Sequence, residues 1–298
     1  MISTFHWPIG RHEVSLRLGL IGNGAIARAL ADHCCASGGK LEIAAVLGRR
    51  RGGSPAGNYP LVETVDDFVG ADLDLVIECA GHEAVRQYGA LILEAGLSLI
   101  IASVGALQDQ ATHDALRRAE HRGHSQLIFT PGALVGLESL VTVAMGRLDA
   151  VSLHSSKPPE AWRGTQAETS SDFARLEAPT VIFEGTAREA ARCFPKNANV
   201  AASVALFGIG FERTHVILVA DPKARTNRHV LEARGAFGTL KAEIEAEPLP
   251  GNPKTSIMAA LSIIKCVEML AARLEFQGSA SKGRGNNDMR HLDRGPRC

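Results

Sequence analysis

The sequence lacks an excess of either charge. Its 32 lysines and arginines balance 32 aspartates and glutamates. Proteins that hold nucleic acid or an anionic membrane electrostatically carry a basic surplus or patch. The balance therefore predicts no nucleic-acid partner and no membrane partner. The 298 residues are 45% hydrophobic and 21% charged, an ordinary globular composition, and this length favours about two domains.

Long apolar runs, paired cysteines and internal repeats are also missing. No apolar stretch reaches the roughly 18 residues that span a bilayer, and residues 1–14, a predicted leader, have no sustained apolar segment of the secretory kind. The six cysteines are scattered without a CxxC pair, as is typical of free thiols in a reducing compartment. No His/Cys/Asp cluster has metal-ligand spacing. These absences predict a cytoplasmic protein without a bound metal ion.

Strands and helices alternate over residues 15–135. Short apolar runs predict strands at 16–21, 41–47, 72–79, 97–102 and 126–129. Helical patterns lie between most of them, at 25–35, 82–95 and 109–122. This alternation favours parallel βαβ units. The fold class is therefore predicted to be α/β, with an N-terminal doubly wound parallel sheet of Rossmann type.

The pattern changes after residue 135. A helix is predicted at 136–148, and strands follow at 151–156, 214–220, 229–234 and 238–246 with fewer helices between them. The last of these strands alternates apolar and charged residues with a period of two. Residues 136–253 are therefore predicted to form an α+β domain with a largely antiparallel sheet. A helical pattern at 254–275 is expected to pack back on the first domain, and 276–298 to be a disordered tail.

A glycine turn separates the first predicted strand from the first helix. Gly22 permits a tight turn, Gly24 lets the backbone approach a pyrophosphate, and Ala27 keeps the helix close to the strand. The pyrophosphate would lie at the positive end of the helix. The turn predicts a dinucleotide site, although a tight turn without a cofactor is the alternative. The expected contacts are Gly22, Asn23, Gly24, Ala25 and Ile26.

The end of the second predicted strand lacks the acidic residue that usually binds the ribose 2′-hydroxyl. Arg49 and Arg50 stand there instead. Arginine can hold a 2′-phosphate through charge-assisted bonds, which favours NADP. A solvated basic loop is the alternative interpretation. We therefore expect either NAD or NADP as the cofactor.

Small residues follow the other strands of the predicted sheet. Cys79, Ala80 and Gly81 follow one strand, Ser103 the next, and Ala133 the last. Ligands of open α/β sheets bind beyond these carboxyl ends, so the small residues leave room for the ribose and nicotinamide. Ordinary βα loops are the alternative. The Cys79 thiol is more readily explained as a buried structural group than as the nucleophile of an acyl mechanism.

Several blocks resemble the L-aspartate dehydrogenase family. They include Ile21-Gly22-Asn23-Gly24, Phe194-Pro195-Lys196-Asn197-Ala198-Asn199 and Asn252-Pro253-Lys254-Thr255-Ser256, and the resemblance covers residues 16–273 in order. It implies oxidation of L-aspartate to iminoaspartate, which can supply NAD biosynthesis or hydrolyse to oxaloacetate and ammonia. It also implies cofactor contacts from Ala133 and Asn199, an active-site histidine at His229, and a homodimer formed through an open mixed sheet.

Histidine suits the proton transfer in amine oxidation, because its ordinary pKa is about 6.5. The two carboxylates of aspartate require positive or hydrogen-bond-donating groups in the second domain. The predicted substrate contacts are Lys157, Lys196, Asn197, Lys254 and Thr255, with His82 ranked lower. Each lysine has a surface or capping role as its alternative.

The sequence leaves two other functions open. One is a homoserine dehydrogenase-like or dihydrodipicolinate reductase-like enzyme, against which the blocks at 196–199 and 252–256 argue. The other is a non-catalytic NADP-binding sensor. The combination of His229 with Lys196 and Asn199 argues against the sensor.

Overall fold

A computed structural model describes residues 15–48, 59–169, 173–195 and 199–283. For residues 169, 253, 254 and 273–283 it describes the backbone only. The predicted leader at 1–14 and the end of the predicted tail at 284–298 lie outside the described residues.

The first half of the chain forms a parallel sheet covered by helices. Its elements are β1 (Leu16–Ile21), α1 (Ala25–Ala36), β2 (Leu41–Leu47), β3 (Leu61–Val62), α2 (Val65–Val69), β4 (Leu75–Glu78), α3 (His82–Glu94), β5 (Ser98–Ile101), α4 (Gln110–Gly123) and β6 (Leu127–Phe129). A 3₁₀ turn at Val104–Gln108 follows β5. The strand order is β3-β2-β1-β4-β5-β6, and every pair is parallel.

This sheet confirms the predicted doubly wound architecture. It has six strands where the sequence predicted five, because β3 is only two residues long and too short to show a pattern. The central strand β4 is completely buried, as expected when helices cover both faces of a parallel sheet. The strand order reverses between β1 and β4, and ligands of open α/β sheets bind at such a reversal.

The second half contains a mixed sheet. Its elements are α5 (Leu137–Val143), β7 (Leu148–Lys157), β8 (Thr180–Thr186), α6 (Ala187–Cys193), α7 (Asn199–Phe207), β9 (Thr214–Ala220), β10 (Asn227–Gly235), β11 (Gly238–Ala246), β12 (Pro248–Leu249), β13 (Asn252–Ser256) and α8 (Ile257–Gly283). The main sheet has the order β11-β10-β7-β9-β8, in which only β7 and β9 pair in parallel. The predicted α+β unit with a largely antiparallel sheet is confirmed.

Several element bounds differ from the sequence prediction. The helix predicted at 136–148 ends at Val143, and β7 begins at Leu148. Strand β8 was not predicted, because its register shifts between Val181 and Phe183 and interrupts any period-two pattern. The C-terminal helix begins at Ile257 and not at residue 254, because the chain up to Ser256 forms β13.

Helices α5, α6 and α7 pack on one face of the second sheet, around Leu153, Leu218 and Leu231. The opposite face carries polar pairs across the strands, such as Arg228 with Glu243 at 2.7 Å. Packing of one face therefore fixes which residues of each strand are buried.

Helix α8 returns to the first unit. Its Ile263 and Val267 are buried in the same cluster as Leu18 and Leu20 of β1. In the part of the chain that the structure describes, no helix is long and apolar enough to cross a membrane.

Candidate active site

A cleft of about 590 Å³ lies between the carboxyl edge of the first sheet and one face of the second. The first unit contributes Gly24, Ala25, Ile26, Cys79, Ala80, Gly81, His82, Ser103, Thr130 and Ala133. The second half contributes Lys157, Asn199, Ser203, His229, Asn252, Thr255 and Ser256. Thirteen of the predicted site residues therefore meet in one cavity, at the strand-order reversal where a ligand is expected.

The glycine turn forms one end of the cleft. Gly22 has a φ of +99°, and a Cβ there would lie 2.8 Å from Cβ of Ala80, so a side chain is excluded by conformation and by space. A Cβ on Gly24 would meet nothing within 4 Å. Because α1 begins without a side-chain N-cap bond, its first N–H groups are available to an anion. The residues present therefore fit a dinucleotide pyrophosphate.

Asn199 and His82 come from the two halves of the chain, and their side chains contact each other at the cleft. Oδ1 of Asn199 accepts the Gly105 N–H at 3.1 Å and lies 3.0 Å from Nε2 of His82. Because a backbone N–H can only donate, Oδ1 faces Gly105, and His82 Nε2 carries the proton of the second bond. Burial lowers the pKa of His82, which favours this neutral form. The amide of Asn199 therefore keeps its Nδ2 donors for a ligand.

His229 and Lys157 lie on the face of the second sheet that borders the cleft. His229 is 1% exposed, and its Nδ1 lies 2.8 Å from Oγ of Ser155. Ser155 pairs with His229 across β7 and β10, and the pairing holds the imidazole in place. Burial, and secondarily the Lys157 charge, lowers the pKa of His229 to about 3.

Lys157 is a buried cation. The residue is 4% exposed, and Nζ lies 5.6 Å from the ring centroid of Trp162, within cation–π range. Burial lowers the pKa of Lys157 to about 8. An ammonium in such a poorly solvated place gains from binding an anion.

Cys79 borders the cleft as an inert thiol. Its Sγ lies 3.4 Å from the Ile21 carbonyl oxygen, and burial raises the pKa of the thiol, so little thiolate forms. Within the described residues, no group of three or more His, Cys, Asp or Glu side chains could hold a metal ion.

Two buried residues of the site were missed by the sequence analysis. Ser155 carries a signal that could have found it, since it precedes Lys157 by two residues in a strand and therefore shares its face. Glu78 accepts four hydrogen bonds from the loops that line the cleft. Nothing in its sequence context distinguishes it from the charged end of a strand. Asn227, two residues before His229, is also buried, and its side-chain amide has no hydrogen-bond partner among the described residues.

The remaining predicted site residues are not brought into the cleft by the described structure. Gly22 and Asn23 form the turn beside it. Arg49, Arg50, Lys196 and Asn197 lie outside the described residues, and for Lys254 only the backbone is described.

Comparison with known proteins finds dehydrogenase relatives for both halves of the chain. The family model described as "Homoserine dehydrogenase, NAD binding domain" matches residues 18–130, and "Aspartate dehydrogenase, C-terminal" matches 138–270. An L-aspartate dehydrogenase of Ralstonia nicotianae is 46% identical over 65% of this chain and 72% of its own length. That of Ruegeria pomeroyi is 38% identical over 90% of this chain and 96% of its own. The crystal structure of aspartate dehydrogenase from Thermotoga maritima superposes with a TM-score of 0.69 at 27% identity, covering 86% of this chain and 96% of that one.

The doubly wound sheet, its glycine turn and the cleft that it shares with the mixed sheet define a two-domain nicotinamide-dependent dehydrogenase, with NAD or NADP as the cofactor. The relatives match across both halves, and the Ruegeria pomeroyi enzyme matches over nearly its whole length. The chain belongs to the L-aspartate dehydrogenase family.

Proposed function

We propose that this chain catalyses the NAD(P)-dependent oxidative deamination of L-aspartate to iminoaspartate. The observation that carries the proposal is that His229 and Lys157 line the same cleft as the glycine turn. A proton acceptor and a buried cation therefore lie where a small dicarboxylate could meet a dinucleotide. The activity of the relatives agrees with this arrangement.

The first half of the cleft would hold the cofactor. The N–H groups at the start of α1 would bind the pyrophosphate, and the residues that follow β4, β5 and β6 would surround the nicotinamide. When bound, the nicotinamide accepts the hydride from Cα of the substrate. Arg49 and Arg50 remain the basis for expecting NADP beside NAD, and KM values for both cofactors test that expectation.

Lys157 would bind a substrate carboxylate. Its ammonium is shielded from water, so a carboxylate gains a strong charge-assisted bond there. Thr255 lines the same cleft and could donate its hydroxyl, which lies 2.9 Å from Asn252 Nδ2. Lys196, Asn197 and Lys254 remain candidates for the other carboxylate.

His229 would accept the proton that the substrate ammonium loses. In the tautomer whose Nδ1–H donates to Ser155, the lone pair of Nε2 is left for the substrate. The lowered pKa leaves the imidazole neutral and ready to accept at neutral pH. Two substrate carboxylates in the same buried space would raise that pKa and make the imidazole a stronger base.

Loss of hydride and proton converts the Cα–N single bond to a C=N bond. Water then adds to iminoaspartate to release ammonia and oxaloacetate, unless a biosynthetic enzyme of the NAD route consumes the imine first.

We further propose a cytoplasmic homodimer, with residues 15–135 as the dinucleotide domain, 136–253 as the substrate and dimerisation domain, and 254–275 as the returning helix.

The test is formation of reduced cofactor, followed at 340 nm with L-aspartate, D-aspartate and L-homoserine. We expect turnover with L-aspartate alone. The variant His229→Ala should reduce kcat by about 10²- to 10⁴-fold, the usual contribution of a positioned acid–base group. His121→Ala, at an exposed histidine, is the matched control. Turnover of L-homoserine instead, or an unimpaired His229→Ala, would overturn the substrate or the role of His229, respectively.

A further inference from the structure

Glu78 lies at the carboxyl end of β4 and is 0% exposed. Its Oε1 accepts the N–H groups of Ala80 at 2.8 Å and Gly81 at 2.7 Å, and the Ser103 hydroxyl at 3.0 Å. Its Oε2 accepts the Ser103 N–H at 3.1 Å. One buried carboxylate thus receives four hydrogen bonds.

These donors belong to the two loops at the nicotinamide end of the cleft. Ala80 and Gly81 follow β4, Ser103 follows β5, and all three line the cavity. Gly81 has a φ of +126° and begins α3 without a side-chain cap, so the Glu78 bond takes the place of a local cap. Glu78 therefore fixes the two loops relative to each other.

The same hydrogen bonds favour the charged form of the Glu78 carboxylate. Three of the four donors are backbone N–H groups, which can only donate, so they stabilise the anion. Burial opposes them and raises the pKa of Glu78. Among the described residues no cation forms an ion pair with Glu78. A buried carboxylate with four donors and no paired cation therefore lies directly behind the wall of the cleft.

We propose that Glu78 is a positioning residue that fixes the two nicotinamide-facing loops, and that its charge favours the oxidised cofactor over the reduced one. The oxidised nicotinamide ring is a cation and the reduced ring is neutral, so a nearby anion in a weakly screened place attracts only the oxidised form. The proposal rests on the nicotinamide cofactor and is independent of the substrate.

The test measures binding by titration calorimetry, without substrate, for NAD⁺, NADH and ADP-ribose, or for the NADP forms if those bind better. In Glu78→Gln, we expect the ratio of affinities for the oxidised and reduced cofactors to fall about tenfold, which is the effect of two unit charges roughly 12 Å apart at an effective dielectric constant near 20. ADP-ribose lacks the nicotinamide, so its affinity should stay within about twofold. An unchanged ratio would overturn the role of the charge.

Ser103→Ala is the matched control, because it removes one hydrogen bond and keeps the carboxylate. It should weaken the binding of both cofactors by the same factor, and a fall in the affinity ratio comparable to that of Glu78→Gln would overturn the proposal.

Should Glu78→Gln not fold, Glu78→Asp decides the positioning role. Its shorter side chain should weaken the binding of both cofactors and leave the affinity for ADP-ribose unchanged. Unchanged cofactor affinity would refute that role. A failure of L-aspartate turnover would leave all these binding results intact.

Discussion

At the residue scale, burial decides how His229 and Lys157 behave. In water a histidine is half protonated near pH 6.5, whereas this one is buried in β10 beside a cation and has its pKa lowered to about 3. Lys157, with a pKa of about 8, keeps its charge at neutral pH. The same pair thus offers a neutral acceptor and an anion-binding cation side by side.

The lowered pKa of His229 predicts acid sensitivity. As pH falls below 6.5, the unfolded chain gains a proton at this histidine, but the folded protein does not until about pH 3. Stability is therefore lost as pH decreases through this window, by about 2 kcal/mol at pH 5. We expect His229→Gln to lack this loss, so its urea unfolding free energy should fall less than the wild type's between pH 7 and pH 5. His121→Gln should behave as the wild type, and equal acid sensitivity in His229→Gln would contradict the burial argument.

At the element scale, the glycine turn joins β1 to α1 through two glycines with different constraints. Gly22 is required by the fold, because its positive φ and the contact with Ala80 exclude a side chain. Gly24 has an ordinary φ of −76°, and a Cβ there would stand in open space. The second glycine is therefore required only when a ligand approaches the backbone.

This difference predicts two phenotypes. Gly24→Ala should cost the free protein less than about 1 kcal/mol of unfolding free energy, the usual range for a changed N-cap, while weakening NAD(P) binding by at least about tenfold. Gly22→Ala should cost about 2 kcal/mol or more through strain and overlap. Urea unfolding and cofactor titration of both variants measure these effects. Normal cofactor affinity in Gly24→Ala would place the pyrophosphate elsewhere.

At the scale of the whole molecule, the second sheet has one face covered by helices and one that is not packed by α5, α6 or α7. Ile217 lies half-buried in the middle of that outer face, in register with His154 of β7 and Glu184 of β8. An apolar residue amid polar pairs suits the proposed homodimer contact.

The homodimer can be tested at this face. Ile217→Asp would place a charge inside the proposed interface, so light scattering should show the mass falling from dimer to monomer. Met145→Asp is the control, since Met145 is 83% exposed and lies on the loop after α5. A monomeric wild type, or an Ile217→Asp variant that stays dimeric, would contradict a dimer formed through this face.

Local patterns were sufficient for most of the first domain. Apolar runs, glycine turns and their spacing located β1, β2, β4, β5 and β6, because each of these signals is carried by consecutive residues. Strand β3 and the bulged β8 were missed, since two residues or an interrupted alternation give no period to detect. For the second domain, the family resemblance directed attention to His229 and Asn199. Periodicity alone would not have singled out either residue, and His229 is one of 11 histidines.

The sequence by itself determined the alternation of the longer strands and helices in the first domain, the glycine turn and the small residues at the strand ends, because these depend on neighbours along the chain. Only the tertiary structure decided what the distant residues do. Ser155 meets His229 through strand pairing, and His82 meets Asn199 across 117 positions. The burial that lowers the pKa of His229, and the four donors that surround Glu78, likewise arise only when separate segments pack together. Desolvation depends on all the surrounding atoms, and no local stretch of sequence contains them.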